Sequence, residues 1–138
     1  DGTAITRRAL REMFKVWLPG TIDGLYLGTC LFGDEFNADY LLNPPKQRDK
    51  PPLRWVAGYE TSVDWIDSSA LDLLFWNTML AQPESSTSIE RIRATAAVLA
   101  RQAPGLVVDL GFQIYIRHRG GVRGLLDPEG AALDLLVD

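Results

Sequence analysis

The chain offers few residues for nucleophilic chemistry. Cys30 and His118 are each the only one of their kind among 138 residues, so a thiolate–imidazole pair can be built from these two alone. Cys30 sits in an apolar context, Thr29-Cys30-Leu31-Phe32, and His118 falls on the apolar face of a predicted strand. Both therefore read as packed structural residues. One histidine and one cysteine also exclude the usual nitrogen-and-sulfur zinc site and an internal disulfide.

Carboxylates are more plentiful. Glu60, Asp64 and Asp67 form one group and Asp34, Glu35 and Asp39 another. Such acids could hold Mg²⁺ or Ca²⁺, or serve as general acid and base. No EF-hand loop surrounds them, so they read as loop and cap residues, with a carboxylate-based enzyme as an alternative. Neither phosphate-cradling glycine pattern, GxxxxGK or GxGxxG, is present, and the GxSxG elbow is also missing. No cofactor is expected. A different chemistry is suggested by Tyr115, Arg117 and Arg119, alternate residues of one predicted strand, with Arg123 beyond the turn. Such a face could take phosphates or stack a base. The net charge of −4 argues against nucleic acid as the partner.

The elements that must position these residues are legible from periodicity. Trp55, Ala57, Tyr59, Thr61, Val63 and Trp65 recur at every second position, which predicts a strand with one buried face. Asp67, Ser68 and Ser69 then read as a helix start, and the helix runs to Gln82 before Pro83. Leu71, Leu73, Leu74, Phe75, Trp76, Met79 and Leu80 leave this helix no polar side. It must be sandwiched between layers or covered by a partner. Thr87 and Glu90 have capping-box spacing, which predicts an amphipathic helix to about Gln102 with Ile89, Ile92, Ala96 and Leu99 inward.

Around this centre, residues 3–18 read as a basic amphipathic helix, and residues 21–32 as a strand or hairpin. Residues 34–42 suggest a short helical turn. Residues 106–119 read as a strand, with Gly120-Gly121 as a hairpin turn. Asp127-Pro128-Glu129 resembles a helix start, leading to a short helix through Leu133, Leu135 and Leu136, with a strand as its competitor. Residues 43–52, NPPKQRDKPP, form an exposed proline-rich loop. The expected fold is one α+β domain over residues 1–138. Its antiparallel or mixed sheet of about four to five strands is partly covered by three to four helices.

Residues 63–74, V-D-W-I-D-S-S-A-L-D-L-L, resemble the strand-to-helix turn of STAS domains, the sulfate-transporter and anti-sigma-antagonist family. The later VRGLLDPEG resembles that family's C-terminal helix. The resemblance implies a phosphorylation-regulated signalling module with Ser69 as phosphoacceptor.

Charge is distributed in blocks. Residues 60–90 hold six acids and no base, whereas Arg7, Arg8, Arg11 and Lys15 against Glu12 make the N-terminal segment basic. An all-round apolar helix beside an acidic block fits a non-catalytic interaction or assembly module, a complex subunit or an inhibitor of a basic partner. Trp65, Phe75 and Trp76 are the expected apolar contacts, flanked by Asp64 and Asp67. The partner is a protein or a second copy of the chain. No apolar run reaches membrane-spanning length, and the lone cysteine fits a reducing compartment, so a cytoplasmic location is expected.

Overall fold

The computed structural model describes residues 23–28, 34–42 and 53–133, together with Thr6, Arg8, Ala9 and Glu12. Most of the 3–18 segment, the proline-rich loop, Cys30, Leu135 and Leu136 lie outside these. The described elements are β1 (Gly24–Leu27), α1 (Glu35–Leu42), β2 (Trp55–Tyr59), α2 (Trp65–Ala81), α3 (Ser88–Gln102), α4 (Pro104–Asp109), β3 (Phe112–His118) and β4 (Gly121–Gly124).

The sheet order is β1-β2-β3-β4, with β1 and β2 parallel and the other neighbours antiparallel. This is the expected α+β arrangement with a mixed sheet. Helix α1 packs on one sheet face through Ala38, Leu41 and Leu42, against Val56 and Tyr115. Helices α2, α3 and α4 cover the other face, where Trp55, Ala57, Tyr59, Phe112, Ile114 and Ile116 meet Leu71, Phe75, Ile92, Leu99 and Val107. Every residue of β2 is buried. The predicted one-sided strand is thus two-sided, because α1 closes the face that Val56 and Gly58 occupy. At Gly24 a Cβ would stand 1.8 Å from the Trp55 ring, so only glycine lets β1 lie beside β2 in this register.

Several boundaries differ from the expectation, each for a local reason. The strand ends at Tyr59 rather than reaching Trp65, and α2 starts at Trp65 rather than after Ser69. Asp64 takes the cap instead: its carboxylate accepts from the amides of Ile66 at 2.9 Å and Asp67 at 3.1 Å. The alternation beyond Tyr59 is therefore a coincidence of loop and first-turn residues. Residues 104–109 form a helix, so the strand expected from residue 106 begins only at Phe112; Pro104 at the helix start has the φ a helix needs. The hairpin turn is Arg119-Gly120, not Gly120-Gly121. Both turn residues have positive φ, 49° and 76°, and His118 pairs with Gly121.

Among the described residues no helix follows Asp127. Its carboxylate accepts from the Glu129 and Ala131 amides at 2.9 and 2.8 Å, and Leu126 pairs with Ala132 across the tight turn this makes. Gln113 ties this segment to β3, donating to the Leu126 carbonyl at 2.8 Å and accepting from its amide at 3.0 Å.

The capping box of α3 is complete. Thr87 Oγ1 accepts from the Glu90 amide at 3.2 Å, and the Glu90 carboxylate accepts from the Thr87 amide at 2.7 Å. Thr87→Ala removes one half of it and lowers stability by about 1 kcal/mol, read as a shift of the urea midpoint at unchanged slope.

Candidate interaction surface

Helix α2 is held in one rotational setting by polar contacts on its inner side. Asp72 points at the sheet, where one carboxylate oxygen accepts from the hydroxyls of both Tyr26, on β1, and Tyr59, on β2, the latter at 2.5 Å. The Tyr59 hydroxyl also lies 3.1 Å from the Ser68 carbonyl and 3.3 Å from the Tyr26 hydroxyl. Bonds from phenols to an ionised carboxylate are stronger than those between neutral groups. Burial, then the bond to Asp72, pushes both tyrosines well above the ordinary phenol range. One turn further on, Phe75 is fully buried, with ring centroids of Tyr26 at 4.5 Å, Trp76 at 5.1 Å, Trp55 at 5.8 Å and Phe112 at 6.1 Å.

Leu71, Phe75 and Thr78 are buried against the sheet and its other helices, and the side of α2 opposite them faces out, with Asp72 at its border. Trp65, Ile66, Leu73, Trp76 and Leu80 are 75, 61, 73, 40 and 78% exposed. At 3.6 residues per turn these five and Ser69 share one arc of about 100°, and none of the six is charged. Ser69, an exposed residue, donates to the Trp65 carbonyl at 2.5 Å and lies in the middle of the arc. The expectation that α2 lacks a polar side holds for its outer arc, while its inner side carries the polar anchor Asp72.

The predicted interaction residues divide accordingly. Trp65 lies on the outer arc, and Trp76 does too, although its ring leans on Tyr26 and Phe75. Phe75 belongs to the core and is not available to a partner. Asp64 is the helix cap, and Asp67 is exposed in the first turn. Ile66, Leu73 and Leu80 lie on the same outer arc and were not among the residues predicted for it. Composition shows their apolarity, but only the burial of Leu71, Phe75 and Thr78 tells which of the apolar residues face out.

The other candidate groups sit elsewhere. Glu60 accepts from the Tyr115 hydroxyl at 2.5 Å, so it is not gathered with Asp64 and Asp67. Burial, then the bond to Glu60 and the nearby Glu35 and Asp34 charges, pushes the Tyr115 phenol upward. Among the described residues no three acids, histidines or cysteines are grouped to hold a metal ion. Tyr115 is buried against α1, so its ring is not presented for base stacking. Arg117 pairs with Val122 and Arg123 with Ile116, which places the two arginines on opposite sheet faces. Arg119 occupies the hairpin turn.

His118 ends β3, and its candidate partner Cys30 lies outside the described residues. A cleft of about 540 Å³ opens beside Glu35, Tyr115, Arg123 and Leu133, with a smaller one of about 290 Å³ adjoining it near Glu60 and Phe112. Its Gln113, Tyr115 and Asp127 side chains are engaged in the contacts described above. No described helix is long and apolar enough to cross a membrane. No known protein family, curated protein or solved structure matches the chain.

Proposed function

We propose that the chain is a non-catalytic interaction module that docks onto another protein chain through the outer arc of α2, as a subunit of a larger assembly. The observation that carries this reading is the uncharged stripe of five large apolar side chains, left outward by the burial of Leu71, Phe75 and Thr78 on the opposite side of the helix. Burying such a stripe is favourable at about 25 cal/mol per Å² of apolar surface removed from water. A module of this kind works in a reducing compartment such as the cytoplasm, which suits its lone cysteine.

The double variant Leu73→Glu/Leu80→Glu tests the reading. Both positions are exposed, so thermal unfolding stays within a few degrees of the native chain. Association, followed by light scattering and by co-purification from native-source extracts, is lost. Association that survives the double variant overturns the proposal.

A second reading, regulation through Ser69, is favoured by the exposed hydroxyl in the middle of the same arc. A phosphate there would put a charge of about −2 into an apolar contact. Ser69→Asp should then abolish association where Ser69→Ala preserves it. Equal association of the two variants sinks this reading.

A further inference from the structure

We infer that the occupant of the outer arc of α2 is a second copy of the chain, packed antiparallel about a twofold axis that passes α2 between Asp72 and Leu73. The inference rests on the docking role proposed above and names the partner.

Reversed about that midpoint, four of the six arc positions pair with one another and Leu73 lies next to the axis, while Ile66 sits at the rim opposite Met79. Positions 65 and 80 are equidistant from it, and so are 69 and 76. An antiparallel copy therefore sets Trp65 against the partner copy's Leu80, and the large Trp76 against the small Ser69. Leu73, next to the axis, meets its own equivalent. A twofold contact requires such reciprocity, in which each residue meets the counterpart of its own partner. Large side chains opposite small ones let two helices interdigitate at close approach.

Electrostatics allow the pairing. The arc itself holds no charge, so two copies bring no like charges together at its centre. Asp72 is turned into the sheet, and Asp67 falls outside the arc. Antiparallel helices also place each N-terminus beside the other's C-terminus, which their dipoles favour.

The area is adequate. At the stated exposures the five apolar side chains present on the order of 600 Å² per copy, from the size of such side chains. A stable interface takes about 800 Å² from each partner, with an apolar core and a more polar rim. The stripe supplies that core, and neighbouring polar residues such as Asn77 supply part of the rim.

The test uses the full chain with Leu73→Glu, Leu73→Arg and Ser69→Trp, all at exposed positions. Light scattering over a concentration series reads the mass, and circular dichroism confirms that each variant is folded. The native chain is expected at twice the chain mass. Each Leu73 variant alone falls to the monomer mass, because like charges meet at the axis. An equimolar mixture of Leu73→Glu and Leu73→Arg chains returns to the dimer mass, because opposite charges now meet there. Ser69→Trp, which fills the space for the opposing Trp76, gives a monomer.

A native chain that stays monomeric at every concentration overturns the inference, as does a dimer indifferent to Leu73. A mixture that fails to re-form the dimer overturns the twofold geometry. In the monomeric case, docking through α2 onto a different protein still stands or falls on the Leu73→Glu/Leu80→Glu comparison, so the two failures are distinguishable.

Discussion

Phe75→Ala lowers the stability of the fold by about 3–5 kcal/mol, the range for truncating a buried aromatic ring. Phe75 has no exposed surface and touches four other aromatic rings, contributed by β1, β2, α2 and β3. Alanine removes the transfer energy of the ring and leaves a void that these large, mutually wedged neighbours cannot fill by small shifts. Since a domain of this size is stable by only about 5–15 kcal/mol, the loss is a large share of the total. Urea unfolding followed by tryptophan fluorescence measures it. Leu73→Glu, two residues away on the outer arc, is the control and should cost little. A small effect at Phe75 would mean that α2 is not seated on the sheet as described.

Alkaline pH unfolds the protein from about pH 10 upward, the ordinary phenol range. Tyr26, Tyr59 and Tyr115 are all pushed above that range, first by burial and then by hydrogen bonds to Asp72 or Glu60. The folded state keeps these protons at a pH where the unfolded chain releases them. Stability is therefore unaffected by these groups below pH 10 and falls above it, by about 1.4 kcal/mol per pH unit for each proton retained. Phenolate absorbance at 295 nm and circular dichroism, followed together from pH 8 to 12.5, give the check. Three of the four tyrosines should ionise only as the fold is lost. Ionisation of all four near pH 10 with the circular dichroism unchanged would contradict the Asp72 and Glu60 contacts. Tyr59→Phe should make the fall with pH shallower.

The elements that periodicity revealed best are those whose pattern is set by one dominant boundary with water. Helix α3 is the clearest, because Ile92, Ala96 and Leu99 line one buried side and Thr87 with Glu90 close its first turn by contacts three residues apart. Strand β3 was visible for the same reason, through Phe112, Ile114 and Ile116. Helix α4 was not, since six residues are too few to show a period and Leu106, Val107 and Val108 suit a strand equally. The start of α2 was misplaced by up to five residues because Asp64, Asp67 and Ser69 are all competent caps. Which one serves depends on where β2 ends.

The candidate surface shows the same division. That α2 is rich in tryptophan and leucine, followed by proline and set in an acidic block, is a matter of composition and order along the chain. By itself the sequence determined the α+β class, the capping box of α3 and the apolar excess of α2, because each depends on residues close together in the chain, whereas the parallel pairing that makes the sheet mixed joins Gly24 to Trp55. Only the tertiary structure decided that Phe75 is core while Leu73 and Leu80 face out, and that Glu60 serves Tyr115 rather than joining Asp64 and Asp67. Those outcomes turn on the packing of Leu71 and Phe75 against Trp55, Phe112 and Ile92, and on the meeting of Glu60 with Tyr115 across a separation of 55 residues. Local periodicity carries no information about contacts of that range. The rotation of an all-apolar helix is settled by which of its side chains the rest of the fold can bury.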